Sequence, residues 1–276
     1  MKLSPWTRGI GLLLLLGFGA CTSTGSALQS QGGSEAGNPD GGVSFSVVGY
    51  SSTNNTSSQT KFQSLSLPGM DIQEAQLVLE RIELRPLSVC TSGSEEGNEY
   101  RFEGLFPVDL LVPPPIPELE GISVPEGLYC RLEIRLAKFE DESESEELNG
   151  FSILVTGSRQ DGVPFKLSLS EDEEFKLENE TSGFLIDPEN SLNRFFIAFD
   201  LAQWFSGVDL NDPGVEVSDD GSGNPIIYID ENHNESLQER IVDNLEESSD
   251  LFGDEDDDGE LDDFEQENSL AEGTII

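Results

Sequence analysis

Leu128-Tyr129-Cys130-Arg131-Leu132-Glu133-Ile134-Arg135-Leu136 is the stretch on which the fold class turns. Leu128, Cys130, Leu132, Ile134 and Leu136 fall on one side of an extended backbone, and Tyr129, Arg131, Glu133 and Arg135 on the other. Successive side chains of a strand point to opposite faces, so this alternation predicts a half-buried β-strand with Cys130 on its buried face.

Working outward, the same period recurs. Val43, Phe45 and Val47 alternate with smaller residues, as do Phe151, Ile153 and Val155. Asp161-Gly162 then marks a turn, and Phe165, Leu167 and Leu169 resume the alternation, which predicts a hairpin. Shorter runs at 175–177, 184–186, 195–199 and 226–229 read as further strands. Ala75, Leu77 and Leu79 alternate, and the phase then slips to Ile82 and Leu84, the signature of a β-bulge; Pro86 ends the run. The same stretch has a helical alternative, since it is rich in Gln, Glu, Ala and Leu, and the strand is preferred. Short strands at roughly ten-residue spacing predict a mainly β chain, an antiparallel β-sandwich over residues 43–230. Four prolines within 112–117 exclude a central strand there, and the acids of 140–147 predict a solvated loop. Residues 200–205 predict a helical turn with Trp204 plugging the core.

At the start of the chain, Lys2 and Arg8 precede an apolar run from Ile10 to Phe18, followed by Gly19, Ala20 and Cys21. A charged n-region, a short apolar core and small residues at the junction predict a secretory signal over 1–20. The apolar run is shorter than the ~20 residues a membrane-crossing helix needs. Gly19-Ala20-Cys21 resembles the lipobox of bacterial lipoproteins, with Phe18 where that family usually has Leu. The resemblance implies lipidation at Cys21 and anchoring to a membrane. Residues 21–42, rich in Ser, Thr, Gly and Gln, then read as a flexible tether. Thr22 follows the lipid-bearing position where Asp would favour the inner membrane, which points to the outer membrane of the bacterial cell envelope.

Three pieces of the body carry a second resemblance. They are Leu77 to Leu84 (Leu-Val-Leu-Glu-Arg-Ile-Glu-Leu), Val108-Asp109-Leu110-Leu111, and Val124-Pro125-Glu126-Gly127-Leu128-Tyr129 leading into Arg131 and Arg135. Together these are similar to an uncharacterised β-sandwich domain family found in bacterial lipoproteins. That resemblance implies the fold and supplies no catalytic residue.

Composition limits the partners. A formal net charge of −41 repels nucleic acid and anionic surfaces and attracts divalent cations or basic proteins. With Cys21 assigned to lipid, Cys90 and Cys130 remain. An even pair in an exported chain predicts a disulfide, two free thiols being the alternative.

The candidate chemistry lies at 254–265. Asp254, Asp256 and Asp258 take positions 1, 3 and 5 of a twelve-residue loop, and Gly259 takes position 6. Glu260 supplies position 7 through its backbone carbonyl, Leu261 is the apolar position 8, Asp262 is position 9 and Glu265 closes at 12. This is the EF-hand pattern, in which hard oxygens at alternate positions wrap Ca²⁺. Leu237, Ile241 and Leu245 predict a helix ahead of it, capped by Asn234. Residues 231–276 thus read as an acidic helix and tail with an EF-hand-like loop; in so acidic a segment the acid positions match easily, so a disordered acidic tail is the competing reading of 254–265. Asp230, Asn232 and Asn234 begin a similar pattern, but Glu235 stands where the glycine is needed.

Enzyme signatures are sparse. A single histidine, His233, excludes a multi-histidine zinc site, and no Gly-x-Ser-x-Gly elbow or phosphate-binding glycine loop occurs. The function class predicted is a non-catalytic envelope module that binds a protein or glycan partner. A carbohydrate-active hydrolase is the second reading, because carboxylate pairs are abundant.

Overall fold

The computed structural model describes residues 41–52, 64–92, 99–112, 119–140, 148–179, 181–187, 193–256 and 258–274. The predicted signal over 1–20, Cys21, the tether to residue 40, the prolines of 113–117 and the acids of 141–147 lie outside them. The described chain is mainly β. In order come β1 Gly41–Tyr50, β2 Leu65–Leu67, β3 Met70–Pro86, α1 Leu87–Ser92, β4 Tyr100–Asp109 and β5 Leu119–Val124. Then follow β6 Gly127–Leu136, β7 Ile153–Arg159, β8 Pro164–Leu169, β9 Glu173–Glu178, β10 Phe184–Ile186, β11 Asn193–Asp200 and α2 Leu201–Trp204. The chain ends with β12 Ser218–Asp219, β13 Pro225–Ile229, α3 Glu235–Glu247, β14 Ser249–Gly253, α4 Asp263–Gln266 and β15 Ala271–Thr274.

These strands form one hydrogen-bonded sheet in the order β12-β13-β8-β7-β3-β6-β9-β15-β14-β11-β1-β5, with β2 and β4 on β3 and β10 on β6. The expected antiparallel sandwich is corrected in two respects. The sheet is mixed, because β1 runs parallel to β11 and β8 parallel to β13. It is also continuous and curled rather than split into two separate sheets.

The curl originates in β3. Its first half pairs β2 and β7, and its second half pairs β4 and β6. On one edge β3 passes from β7 to β6 between Leu77 and Leu79, and on the other from β2 to β4 between Ile72 and Gln76; just beyond, the register shifts between Leu79 and Arg81 against both β4 and β6. An extra residue in one strand bends it and strengthens its twist. The phase slip between Leu79 and Ile82 is therefore a bulge, as the alternation implied. β4 pairs only with β3, and an edge position tolerates the lost amide of Pro107. Gly49 approaches the end of β4 closely: its N–H donates to the Leu110 carbonyl at 3.0 Å, and a Cβ there would sit 2.7 Å from that oxygen.

The inner face of the curl is the core. Phe45, Phe165, Phe175, Phe199 and Trp204 are fully buried there, and Trp204 stacks edge-on against Phe199. Asp200 caps the short helix that delivers Trp204, accepting from the amides of Ala202 and Gln203. In β6, Leu132, Ile134 and Leu136 point inward as expected, but Leu128 is 45% exposed and Tyr129 is buried. A register shift against Arg85 and Pro86 leaves Cys130 as the extra residue, so the phase before it reverses. Cys130 is buried and forms a disulfide with Cys90 of α1.

The outer face of β3 and β6 carries a charge lattice. Arg81, Glu83 and Arg85 lie opposite Arg135, Glu133 and Arg131. Like charges face each other across the ladder, an unfavourable arrangement on its own. It is offset by the neighbouring row: Arg85 contacts Glu83 at 3.1 Å and Glu133 at 3.0 Å, and Arg101 contacts Glu83 at 2.8 Å. The guanidinium groups cover Glu83 and Glu133, which are 1% and 5% exposed although they sit on the outer face.

Candidate metal centre

The segment after residue 230 is woven into the sheet. α3 forms as predicted and buries Ile241 and Leu245, but Asn234 does not cap it with its side chain. Asn234 instead adopts a left-handed backbone, and its amide bridges the backbone of Glu216 and Tyr228. Asp230 is committed to its own turn, accepting from the amides of Asn232 and His233 and facing the His233 ring at 3.0 Å. This partial repeat of the acidic pattern thus folds as a turn that binds its own backbone.

The loop at 254–265 enters from a strand, β14, and not from α3. β14 pairs with β11 as far as Gly253, and the Asp254 amide extends that contact by donating to the Arg194 carbonyl at 3.0 Å. The loop then folds back over the sheet. Leu261 is fully buried with Phe196, Ala198 and Phe252, so the apolar position 8 acts as the plug that fixes the loop. Gly259 has φ +78°, a left-handed turn that glycine adopts without strain, and its N–H donates to Asp254 Oδ2 at 3.0 Å.

Asp262 starts α4. Its Oδ1 accepts from the amides of Phe264 and Glu265, and Glu265 Oε2 accepts from the Asp262 amide, a reciprocal capping box. Glu265 Oε1 reaches across the loop to the Glu255 amide at 2.7 Å. Glu265 is 2% exposed. Burial pushes its carboxyl up to about 7; the two amide bonds oppose this, and the charges of Asp254 and Asp262 add to it.

Asp254, Asp256 and Glu265 each bring a carboxylate oxygen within 4.8 Å of the other two. Oxygens no farther apart than this can share one calcium ion at ~2.4 Å each. The Asp254 side chain is fully buried; its Oδ2 lies 3.7 Å from Arg194 Nη1, and its Oδ1 has no hydrogen-bond partner among the described residues. A buried carboxylate oxygen without a partner is costly unless a cation takes that place. An all-oxygen donor set suits Ca²⁺ or Mg²⁺ and not a thiolate- or imidazole-seeking metal.

Positions 1, 3 and 12 thus converge, and positions 6 and 8 serve as the pattern requires. The remaining predicted ligands are placed differently. Asp258 and Asp262 do not join this cluster: Asp258 accepts from the Glu260 amide, as the exposed Asp256 accepts from the Asp258 amide, and Asp262 Oδ1 takes the amides of the helix start; position 7, Glu260, is assigned through its backbone carbonyl, on which its exposed side chain has no bearing. Arg194, beside Asp254, was not foreseen: it lies sixty residues earlier in the chain, and nothing local signals the contact. Comparison with known proteins adds no family to this geometry: no family model matches the chain, and no curated protein and no solved structure matches it.

Proposed function

We propose that this chain is a non-catalytic, lipid-anchored module of the bacterial cell envelope, held at the outer membrane through Cys21, which binds Ca²⁺ in the 254–265 loop and offers its β-rich body to a protein or glycan partner. The observation that carries the cation reading is Asp254, whose side chain is fully buried with its Oδ1 unpartnered among the described residues and which brings a carboxylate oxygen within reach of Asp256 and Glu265. The support for the anchor is the Gly19-Ala20-Cys21 junction after its apolar run, and the support for the family is the resemblance of the middle of the chain to lipoprotein β domains.

A single loop of this kind binds weakly, with a dissociation constant on the order of 10⁻⁴–10⁻³ M, as in extracellular modules. Calorimetric titration of the full chain with CaCl₂ tests it. Glu265→Gln removes a direct ligand and should weaken binding at least ~10-fold, since even supporting residues around a metal are worth 10–100-fold. Equal binding by both proteins ends the assignment. The anchor has its own readout: Cys21→Ser should move the protein from the membrane fraction to the soluble fraction. A variant that stays in the membrane while carrying its own acyl label contradicts it.

A further inference from the structure

β15 has little of its own to keep it in place. It is four residues long, Ala-Glu-Gly-Thr, and none of these is a strong strand former except Thr274. Ala271 is its one buried apolar residue among the described side chains. Glu272 lies directly opposite Asp250 on β14 and opposite Glu178 on β9, so a carboxylate faces a carboxylate on both sides, relieved in part by Arg131, which pairs with Glu178, and by the Tyr50 and Ser269 hydroxyls, which donate to Asp250. Like charges in that position oppose pairing. Burial raises the Asp250 carboxyl above its usual range; the Tyr50 hydrogen bond works against this, and the Glu272 charge adds to it.

Yet β15 carries the join of the sheet. It stands between β9 and β14, and among the described residues no other ladder connects the β14-β11-β1-β5 side to the rest. Its entry is held by two bonds of 2.7 Å, from the Leu270 amide to the Leu251 carbonyl and from the Asn179 side chain to the Leu270 carbonyl. Its ladders to β14 and β9 and the Ser269 hydroxyl on the Ala271 carbonyl add to these, and a further tie runs through the chain itself. Asp254 and Asp256 follow β14, Glu265 lies in α4, and five residues separate Glu265 from Ala271. A bridge between Asp254 and Glu265 shortens the segment that must close from β14 to β15, and so lowers the entropy lost on closure.

We propose that a divalent cation held by Asp254, Asp256 and Glu265 is a clasp that keeps β15 in the sheet, and that its removal releases β15 and parts the ladder between β9 and β14. This rests on the cation reading of the loop. It accounts for an intrinsically poor strand in a position of structural consequence, joined through α4 to a loop whose buried Asp254 Oδ1 lacks a hydrogen-bond partner among the described residues.

Linkage sets the size of the effect. If the released form does not bind the cation, release is suppressed by one plus the ratio of free cation to its dissociation constant. Hydrogen exchange followed by mass spectrometry on the full chain, with CaCl₂ or with EDTA, reads this directly. At calcium 100 times the dissociation constant, exchange of the peptide spanning β15 should slow by at least about 5-fold from the shortened closure, and by as much as about 100-fold where release abolishes binding. The peptide spanning the β7–β8 hairpin, Ile153 to Leu169, which lies beyond β3 from β15 in the strand order, should not change. Glu272→Lys replaces the carboxylate row by an attractive one and should slow β15 exchange in EDTA, leaving a smaller response to calcium. β15 exchange that ignores calcium while calorimetry shows one-site binding ends the clasp and leaves the cation site intact. Absence of any binding heat ends the site, and the clasp with it.

Discussion

Arg85→Met is expected to destabilise the protein by about 3 kcal/mol or more, near the lower end of the ~3–5 kcal/mol seen when one partner of a buried ion pair is removed. Arg85 sits between Glu83 and Glu133, at 3.1 and 3.0 Å, and its side chain is 15% exposed. Removing it leaves two buried carboxylates. Glu83 retains Arg101 at 2.8 Å, and Glu133 retains Arg131 at 3.4 Å, which is why the lower end of the range applies. The cost belongs to the orphaned charge and not to the loss of the pair as such, because apolar replacement of a whole buried pair is often neutral. Arg85→Met combined with Glu133→Leu should therefore recover much of the loss. Chemical denaturation of the three proteins checks this, and an Arg85→Met midpoint indistinguishable from the parent contradicts the role given to the lattice.

The second large effect is expected from the disulfide. Cys90–Cys130 closes 40 residues, which include β4 and β5, and ties α1 to the bulged start of β6. A closed loop of this length restricts the unfolded chain by an amount worth roughly 3–4 kcal/mol. The paired Cys90→Ser, Cys130→Ser variant should unfold roughly 10 °C lower, taking about 2–4 °C per kcal/mol for a domain of this size. Peptide mapping without reductant should recover the bridged pair. Two free thiols in protein taken from an oxidising compartment, or an unchanged melting temperature in the variant, overturns the assignment.

Much of the strand content was legible because one-sided burial writes a period of two into the residues. The bulge at Glu80 was legible for the same reason: Leu79 and Ile82 cannot lie on one face of a regular strand. Leu128 was misplaced because the bulge at Cys130 depends on its partners Arg85 and Pro86, which no local pattern reveals. The mixed character of the sheet was hidden by distance. β1 pairs with β11 about 150 residues away, and turn residues report only how neighbouring segments connect. β4 and β5 were missed as well; β4 is an edge strand containing Gly104 and Pro107, residues that read as breakers.

In the loop, Gly259 and Leu261 proved to be the informative residues. Acids match an acidic pattern by abundance, whereas a left-handed turn and a fully buried plug are specific demands. The strand that enters the loop escaped notice because α3, the stronger periodic signal, stands just before β14. Asp258 and Asp262 fill the pattern in sequence but spend their carboxylates on the backbone amides of Glu260, Phe264 and Glu265.

Gly259→Val is the substitution that separates a built cation site from a mere accumulation of charge. It leaves every carboxylate in place and forces a β-branched residue into φ +78°, where the turn that brings the Gly259 amide to Asp254 is strained. Calorimetric titration of the parent and Gly259→Val proteins with CaCl₂ at fixed ionic strength is the most direct measurement. A specific site predicts one-to-one binding in the parent and loss of most of the affinity in the variant. Equal, diffuse, salt-sensitive binding by both proteins would contradict the site and reduce 254–265 to an acidic surface loop.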